Sequence, residues 1–246
     1  MLLMQSELRQ DLVSGDWIVV APKRGLRPHQ FGKTKTRVKA PKQECPFEDF
    51  GNDPESFLLS YTALPKKNAK KKVNGIPDVF VLKNKFPAFF HKDTCAELSK
   101  KGPYAVMEAR GYQELIITKS HDKNFSALDP ESAFLVFRAF KDRYRTLSSD
   151  KCLSYISIFQ NWGESVGASV YHPHYQIIGI PVIPPDISHS LHGSAEYFKK
   201  HKKCIHCFML EVEKNHKKRI IAENKGAIAF VPFASRQSFE VRIFPK

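Results

Sequence analysis

The spacing of apolar and polar residues predicts several short strands and one amphipathic helix. Residues 8–20 are predicted to form a turn at Ser14-Gly15-Asp16 that leads into a strand. Further strand-like runs occupy residues 79–82, 104–118 and 155–159, and the apolar residues from Tyr175 to Ile180 suggest a strand within residues 167–181. Residues 128–147 carry apolar side chains at helical spacing, and Asp129 and Pro130 suit the start of a helix. We expect this helix to pack on one face of a sheet.

The segments between these elements are predicted to be a surface loop and a basic helix. Residues 51–77 combine Asp, Pro, Asn and Gly with a run of lysines, which is typical of a loop. Residues 194–217 have a helical and basic pattern. Much of the net charge of +14 lies in residues 66–72 and 199–219. Such a charge suits nucleic acid, an anionic surface or phosphorylated small molecules, but neither cluster interleaves aromatic residues as a base-stacking surface would.

The cysteines and the first residues indicate the cellular compartment. Five cysteines, an odd number, argue against a disulfide framework, so Cys95 and Cys152 are predicted to be plain thiols. Cys45 and the pair Cys204 and Cys207 resemble metal ligands in a reducing compartment. The N-terminal residues turn polar too soon for a signal peptide, and no run approaches the ~20 apolar residues of a membrane span. We therefore expect a cytoplasmic protein with no membrane partner.

The most informative stretch is residues 167–181, with His172, His174 and Gln176 at its centre. If this stretch is a strand, alternate side chains point the same way, so these three side chains share one face. Two imidazoles and a carboxamide are costly to bury without partners. Such a row can ligate a metal, attack an electrophile or hold an oxyanion. The alternative is a polar strand edge with two ordinary histidines.

This stretch resembles the histidine-triad superfamily, and within it the galactose-1-phosphate uridylyltransferase branch. The branch carries Gly-x-Ser-x-x-His-Pro-His-x-Gln, and residues 167–176 match every fixed position. The resemblance implies an α+β fold, with a histidine-triad-like antiparallel sheet, helices packed on one side and an incomplete second repeat. Hydrolases of the superfamily have a third His where this chain has Gln176. The resemblance therefore implies transfer of a nucleotidyl group rather than its hydrolysis.

The resemblance also implies two domains. Residues 1–185 correspond to an N-terminal catalytic domain, and residues 186–246 to a partial second histidine-triad-like repeat. Residues 227–233 echo the segment at 79–89, and residues 240–246 echo residues 114–120. The position equivalent to His121 would directly follow Lys246, so Cys204 and Cys207 would be half of a second, incomplete zinc site. Either a truncated chain or a natural remnant fits this pattern.

The family's functional residues correspond to definite positions in this chain. His174 is expected to attack phosphorus, and Gln176 to donate a hydrogen bond to a non-bridging oxygen. Arg24 and Arg27 are expected near the nucleotide phosphates. Asn84 and Phe86 are expected to line the base and ribose pocket. Asn161 and Ser169 are expected to contact the leaving phosphate. For Phe86, packing in the core is the alternative.

A structural zinc ion is implied at Cys45, Glu48, His121 and His172. In the commonest family pattern the position of Glu48 is a second cysteine. Because a carboxylate can also ligate zinc, Glu48 can complete the site. A weakened or absent metal is the alternative. If the metal is bound, it and His172 would fix the strand that presents His174, and the metal would not act as a Lewis acid.

These features predict a nucleotidyltransferase with a covalent nucleotidyl-histidine intermediate. The most direct interpretation is a galactose-1-phosphate uridylyltransferase-like enzyme of galactose metabolism that uses UDP-glucose and a hexose 1-phosphate. One alternative is a nucleoside diphosphate sugar phosphorylase that uses ADP-glucose or a similar donor with phosphate as acceptor. Another is a non-catalytic, basic, nucleic-acid-binding remnant. The resemblance also suggests a possible homodimer.

Overall fold

The computed structural model describes residues 6–21, 39–48, 54–63, 77–163 and 166–246. The chain divides into two compact units, one comprising Met1–Lys35 with Pro184–Lys246 and the other Thr36–Ile183. We call them unit 1 and unit 2. Within the described ranges, no helix is both long enough and apolar enough to cross a membrane.

The described residues form twelve strands and three α-helices. In chain order, the strands are β1 (Glu7–Gln10), β2 (Trp17–Val20), β3 (Phe57–Tyr61), β4 (Val79–Lys83), β5 (Ser99–Lys101), β6 (Tyr104–Val106), β7 (Tyr112–Thr118), β8 (Tyr155–Phe159), β9 (His174–Ile180), β10 (Ile220–Glu223), β11 (Ala227–Phe230) and β12 (Arg242–Pro245). The helices are α1 (Pro130–Leu147), α2 (Pro185–His201) and α3 (Ile205–His216).

Unit 2 is built on a five-stranded antiparallel sheet in the order β3-β4-β7-β9-β8. β9 lies between β7 and β8, where Gln176 pairs with Leu115 on one side and Phe159 on the other. β5 and β6 form a separate two-stranded hairpin. The α+β class and the antiparallel sheet that the sequence predicted are confirmed.

Helix α1 covers one face of this sheet, as predicted. It begins at a cap in which the Asp129 carboxylate accepts a hydrogen bond from the backbone N–H of Ser132 at 3.0 Å, with proline in the first turn. Its buried side chains pack against apolar residues of β4, β7 and β9, and burial of this apolar area is the main driving force for the fold. The shared core contains Val79, Val81, Ile116, Leu135, Val136, Ala139, Leu147, Tyr175 and Ile177.

Along β9, successive side chains alternate between the core and the opposite face of the sheet. Tyr175 and Ile177 are 4% and 0% exposed and belong to the core beneath α1. His174 and Gln176 alternate with them and therefore project from the opposite face of the sheet. The same strand thus contributes to the core with one set of side chains and to the solvent-facing surface with the other.

A buried ion pair ties α1 to the sheet. Glu114 on β7 is 3% exposed and accepts hydrogen bonds from Nε and Nη2 of Arg143 at 2.7 and 2.6 Å. This two-point geometry matches the planar guanidinium to the carboxylate. Because both partners are largely out of water, removal of either one leaves a buried charge without compensation.

Unit 1 contains the β1-β2 hairpin, helices α2 and α3, and a three-stranded antiparallel sheet in the order β10-β11-β12. The hairpin turn is fixed by Asp11, whose carboxylate accepts from the N–H groups of Val13 and Ser14 at 2.9 and 3.0 Å. The turn and strand expected in residues 8–20 are therefore confirmed. The strand order β10-β11-β12 resembles the order β3-β4-β7 of unit 2. The internal repeat and its boundary at residue 185 stay predictions.

The helical pattern predicted for residues 194–217 is confirmed, although the chain does not form one continuous helix there. The chain forms α2 and α3 instead, separated by residues 202–204. Lys202 ends α2 in a left-handed conformation with φ 55°, which turns the chain out of the helical path. Cys204 then caps α3, with its Sγ accepting from the N–H of Cys207 at 3.5 Å.

Two strand predictions also need correction. The predicted surface loop at residues 51–77 is wrong for residues 57–61, which form β3 at the edge of the unit 2 sheet, whereas residues 64–76 lie outside the described residues. Residues 104–118 form two strands in different sheets, β6 and β7, and not one. Gly111 lies just before β7, where a side chain would collide with the carbonyl oxygen of Gly179. The chain can therefore enter the sheet there only through glycine.

The prediction that Cys95 and Cys152 are plain thiols is wrong. The two residues form a disulfide that joins the segment before β5 to the turn before β8. An odd cysteine count argues against a fully paired framework, but it does not exclude a single pair. Cys45, Cys204 and Cys207 are free thiols.

Replacement of Arg143 by methionine is expected to destabilise the protein by about 3 kcal/mol, because the Glu114 carboxylate then remains buried without a partner. Urea unfolding followed by circular dichroism measures this loss. The double variant Arg143→Met/Glu114→Leu should recover most of it, since no buried charge remains. Arg145→Met on the exposed side of the same helix is the matched control. Equal stability of Arg143→Met and Arg145→Met would contradict the assignment.

Candidate active site and metal centre

A cavity of about 630 Å³ opens on the sheet face opposite α1. Strands β4, β7 and β9 form its floor, and its volume lies in the range of small-molecule sites. Among the described residues, the lining contains two lysines and no carboxylate, so this part of the cavity favours an anionic ligand. The lining residues are Pro46, Phe47, Ser56, Leu82, Lys83, Asn84, Lys85, Phe86, Leu115, Ser169, Val170, His174 and Gln176.

The ring of His174 is held in one tautomer. Its Nδ1 lies 3.0 Å from the carbonyl oxygen of His172. A carbonyl oxygen can only accept, so Nδ1 carries the hydrogen and Nε2 of the neutral ring carries a lone pair. Phe47 contacts the same ring edge-on, with the ring centroids 5.1 Å apart. The cavity is therefore lined by an imidazole whose orientation and nucleophilic nitrogen are both fixed.

His172 does not share the cavity face that its spacing predicted. Strand β9 starts only at His174, and His172 lies in the preceding bend, where it is 0% exposed. Its ring points towards three other potential ligands, Cys45, Glu48 and His121. The two histidines of the motif therefore have different environments, one at the cavity and one in a buried polar cluster.

The buried cluster has the composition and proximity of a metal site. One potential ligand atom from each of its four residues lies within 4.8 Å of the others. Glu48 Oε1 is 3.0 Å from Nδ1 of His121 and 3.4 Å from Nδ1 of His172. Cys45 Sγ is 3.6 Å from the same nitrogen of His172. The four residues that the sequence proposed as ligands, Cys45, Glu48, His121 and His172, are thus brought together.

The hydrogen bonds on the far side of both rings fit a bound cation. Nε2 of His121 lies 2.9 Å from the carbonyl oxygen of Ala40, and Nε2 of His172 lies 2.7 Å from that of Thr118. Both Nε2 atoms must therefore donate, and in neutral rings both Nδ1 atoms point lone pairs at one carboxylate. Metal-bound histidines have this outer bonding pattern. A cation between the lone pairs and the carboxylate would remove their mutual repulsion.

Burial shifts the pKa of two residues in this cluster, His172 and Cys45. Burial lowers the pKa of His172 below its ordinary value, which favours the neutral ring that can ligate a metal. Burial also raises the pKa of the Cys45 thiol, so without a cation the sulfur keeps its proton. A bound metal would reverse the second effect, because a coordinating thiol is deprotonated.

The turn that carries two of these ligands also forms a wall of the cavity. Residues 45–48 make a tight turn in which the N–H of Glu48 bonds to the carbonyl oxygen of Cys45 at 3.1 Å. Cys45 and Glu48 face the cluster, whereas Pro46 and Phe47 line the cavity. One turn of four consecutive residues therefore contributes to both the buried cluster and the cavity wall, so a shift of the turn would change both.

The segment after β4 supplies the opposite wall. Phe86 is 84% exposed and lines the cavity, so the alternative of core packing is excluded. Asn84 also lines the cavity, and its side-chain oxygen accepts from the N–H of Phe86 at 2.9 Å. An exposed aromatic ring at the rim of the cavity is suited to stack on a planar ligand group.

The other predicted substrate residues have different outcomes. Ser169 lines the cavity. Asn161 follows β8 and is not part of the cavity lining. Arg24 and Arg27 lie outside the described residues. Cys204 and Cys207 are exposed and adjacent in unit 1, and in the described part of the chain they belong to no group of three or more potential metal ligands.

Sequence reasoning missed several residues of the site. Phe47 lies between the predicted ligands Cys45 and Glu48, and Lys83 and Lys85 flank the predicted Asn84, so attention to neighbouring positions would have found them. Gln113 was also missed, although its side chain donates to Gln176 at 3.2 Å. It comes from another strand, and nothing in the local sequence signals that contact.

Known proteins resemble the chain in both sequence and structure. A family model described as galactose-1-phosphate uridyl transferase, N-terminal domain, matches residues 2–184. An ADP-glucose phosphorylase of Arabidopsis thaliana is 30% identical over 98% of this chain and 66% of its own length. A galactose-1-phosphate uridylyltransferase of Thermotoga maritima is 28% identical, with the same shares covered.

Solved structures give the same grouping. The crystal structure of an ADP-glucose phosphorylase from Arabidopsis thaliana with bound ADP-glucose has a TM-score of 0.68 and 25% identity, covering 98% of this chain and 68% of that one. A uridylyltransferase structure has a TM-score of 0.64 and 28% identity, covering 98% and 66%. This chain spans 66% of the length of the two curated relatives. The match over residues 2–184 makes it a member of the galactose-1-phosphate uridyl transferase family.

Proposed function

We propose that this protein transfers a nucleotidyl group from a nucleoside diphosphate sugar by way of a covalent nucleotidyl-His174 intermediate. The observation that carries the proposal is the His174 ring, held by the His172 carbonyl oxygen with its lone-pair nitrogen Nε2 at a basic cavity. Membership of the uridyl transferase family supports the same chemistry. A fixed, neutral nucleophile is needed because negative oxygens shield the α-phosphorus from anions.

In the first step, Nε2 of His174 attacks the α-phosphorus of the donor. A P–N bond forms while the P–O bond to the sugar phosphate breaks, and the sugar 1-phosphate leaves with that electron pair. Positive charge develops on the imidazole, and the hydrogen bond from Nδ1 to the His172 carbonyl oxygen stabilises it. Gln176 donates from its carboxamide to a non-bridging oxygen, and Lys83, Lys85 and Ser169 are available to the phosphates.

In the second step, a phosphate oxygen of the acceptor attacks the same phosphorus and the P–N bond breaks. His174 leaves with its lone pair restored, so no net proton transfer by the enzyme is required. Gln176 is neither acid nor base, so it cannot activate water against the intermediate. The intermediate therefore persists until a phosphorylated acceptor enters the cavity.

Two acceptors are consistent with this chemistry. A hexose 1-phosphate would make the protein a galactose-1-phosphate uridylyltransferase-like enzyme, as the family name suggests. Inorganic phosphate would make it a nucleoside diphosphate sugar phosphorylase. The second candidate is favoured by 30% identity to an ADP-glucose phosphorylase and by similarity to that enzyme's structure with bound ADP-glucose.

The metal that fits the buried cluster best is zinc, because zinc accepts sulfur, nitrogen and carboxylate ligands together. Cys45, Glu48 and the Nδ1 atoms of His121 and His172 would hold it. All four coordination positions would then come from protein side chains, which is typical of a structural site rather than a catalytic one. Its contribution would be to fix the 45–48 turn against the residues that flank β7 and β9.

Exposure of the protein to UDP-glucose or ADP-glucose should add one nucleotidyl group, visible in the mass of the denatured protein under non-acidic conditions. His174→Ala should show no adduct, because the attacking nitrogen is gone, and should keep the wild-type thermal midpoint. His189→Ala on α2 is the matched control and should label normally. Chasing the adduct with hexose 1-phosphate or inorganic phosphate identifies the acceptor. An adduct of the same mass on His174→Ala would refute the mechanism.

Phe86→Ala should weaken nucleotide sugar binding about tenfold, since loss of one base-stacking contact costs roughly 1–3 kcal/mol. Stability should not change, because Phe86 is 84% exposed. Isothermal titration calorimetry measures the affinity, and Phe134→Ala, on the exposed side of α1, is the control. Unchanged affinity for Phe86→Ala would remove this residue from the binding site.

The purified protein should retain about one zinc ion per chain after exhaustive dialysis, as measured by atomic emission, because four protein side chains would ligate the ion. Cys45→Ser and His121→Ala should lose it and unfold at lower temperature. Glu48→Cys should retain zinc more tightly than the natural chain, and Cys204→Ser should not change its content. Loss of zinc in Cys204→Ser but not in Cys45→Ser would contradict this site.

A further inference from the structure

We infer that Gln113 is a positioning residue that fixes the carboxamide of Gln176 with its nitrogen directed at the transferred phosphoryl group. This inference rests on the proposed function, since it deepens the role of the same cavity. Gln113 does not line the cavity and would not touch substrate. It acts through Gln176, which does line it.

The sheet register places the two glutamine side chains side by side. Leu115 on β7 lies directly opposite Gln176 on β9, and Gln113 is two residues before Leu115 on the same face. Diagonal neighbours on one face of an antiparallel pair are within reach of long side chains. Accordingly, Nε2 of Gln113 lies 3.2 Å from Oε1 of Gln176.

The direction of this hydrogen bond is set by a backbone group. The N–H of Ala88 donates to Oε1 of Gln113 at 2.7 Å, and a backbone N–H can only donate. The atom of Gln113 that faces Ala88 must therefore be its oxygen. The other atom is then the NH₂ group, which can only donate, so its partner on Gln176 must be the oxygen. Gln176 is left with its own NH₂ group to serve a ligand.

The orientation of Gln176 matters because its carboxamide has two nearly isosteric ends with opposite polarity. With nitrogen towards the cavity, it donates to a non-bridging oxygen and stabilises the charge of the transition state. With oxygen towards the cavity, it would place a negative dipole end against that same oxygen. Gln113 selects the first orientation before substrate arrives, so no reorganisation is needed during the reaction.

Gln113 also anchors the wall that carries Phe86. Its backbone carbonyl oxygen accepts from the N–H of Asn84 at 3.0 Å, while its side chain holds Ala88, so both ends of segment 84–88 are attached to one residue. Side-chain substitutions leave the Asn84 bond intact. Gln113→Glu also retains an acceptor for Ala88, and so it isolates the contact with Gln176.

The decisive experiment measures nucleotidyl-enzyme formation by rapid quench and mass spectrometry, together with nucleotide sugar affinity by calorimetry. In Gln113→Glu, a carboxylate can only accept, so Gln176 should turn its NH₂ group away from the cavity. We expect adduct formation to slow by about 100-fold, the typical effect of removing one oxyanion donor, with affinity changed less than about threefold. Gln113→Met, which has a similar length and no donor, should give a smaller loss. Gln237→Glu on the surface of unit 1 is the control for the added charge.

A double-mutant cycle separates positioning from a general structural effect. In a Gln176→Ala background, Gln113→Glu should slow adduct formation no further, because the group that it orients is absent. Equal losses in both backgrounds, or a wild-type rate in Gln113→Glu, would overturn the inference.

Side-chain amide signals of Gln176 in ¹⁵N NMR, assigned by their disappearance in Gln176→Ala, test the orientation without turnover. They should be ordered in the wild type and shifted or broadened in Gln113→Glu and Gln113→Met. If the wild type forms no adduct but these signals behave as expected, the proposed reaction fails while the positioning by Gln113 stands. Unchanged signals in both variants would remove Gln113 from this role.

Discussion

The hydrogen bond from His174 Nδ1 to the carbonyl oxygen of His172 is the interaction on which the site depends. It fixes the tautomer, and it does so at the residue where β9 begins. From that residue onward the pleat sends Tyr175 and Ile177 into the core beneath α1, and His174 and Gln176 to the cavity. The stability of the sheet and the presentation of the candidate nucleophile therefore share one strand, and a register shift would destroy both.

The second organising feature is the turn at residues 45–48. Its outer residues contribute Cys45 and Glu48 to the buried cluster, and its inner residues contribute Pro46 and Phe47 to the cavity wall. Phe47 also contacts the rings of His172 and His174, with centroids 5.9 and 5.1 Å away. A cation in the cluster would thus stabilise the cavity wall through Cys45 and Glu48, which do not line the cavity themselves. Glu48 at a position that is commonly cysteine is compatible with this role, since its carboxylate lies next to both histidines.

The sequence predicted those parts of the molecule that local pattern determines. Short-range rules predict the cap at Asp129, the helix after it and the strand of the histidine motif. The family resemblance, and not the local pattern, predicted Cys45, Glu48, His121 and His172 as one group of ligands. Contacts between distant strands were not predictable in this way: Gln113 meets Gln176 only because of the β7-β9 register. The edge strand β3 was missed because the residues around it have the composition of a loop. The Cys95–Cys152 disulfide was missed because no spacing rule relates these two cysteines. His172 does not share the predicted face because β9 starts at His174, two residues further along the chain.

The most direct test of this account is to locate the nucleotidyl group on the chain. The protein is incubated with an isotopically labelled nucleoside diphosphate glucose, digested at alkaline pH to preserve a P–N bond, and mapped by tandem mass spectrometry. The account predicts a single acid-labile nucleotidyl group on the imidazole of His174, which disappears when the competent acceptor is added. A nucleotidyl group on any other residue, or transfer to acceptor with His174 unmodified at every time point, would contradict it.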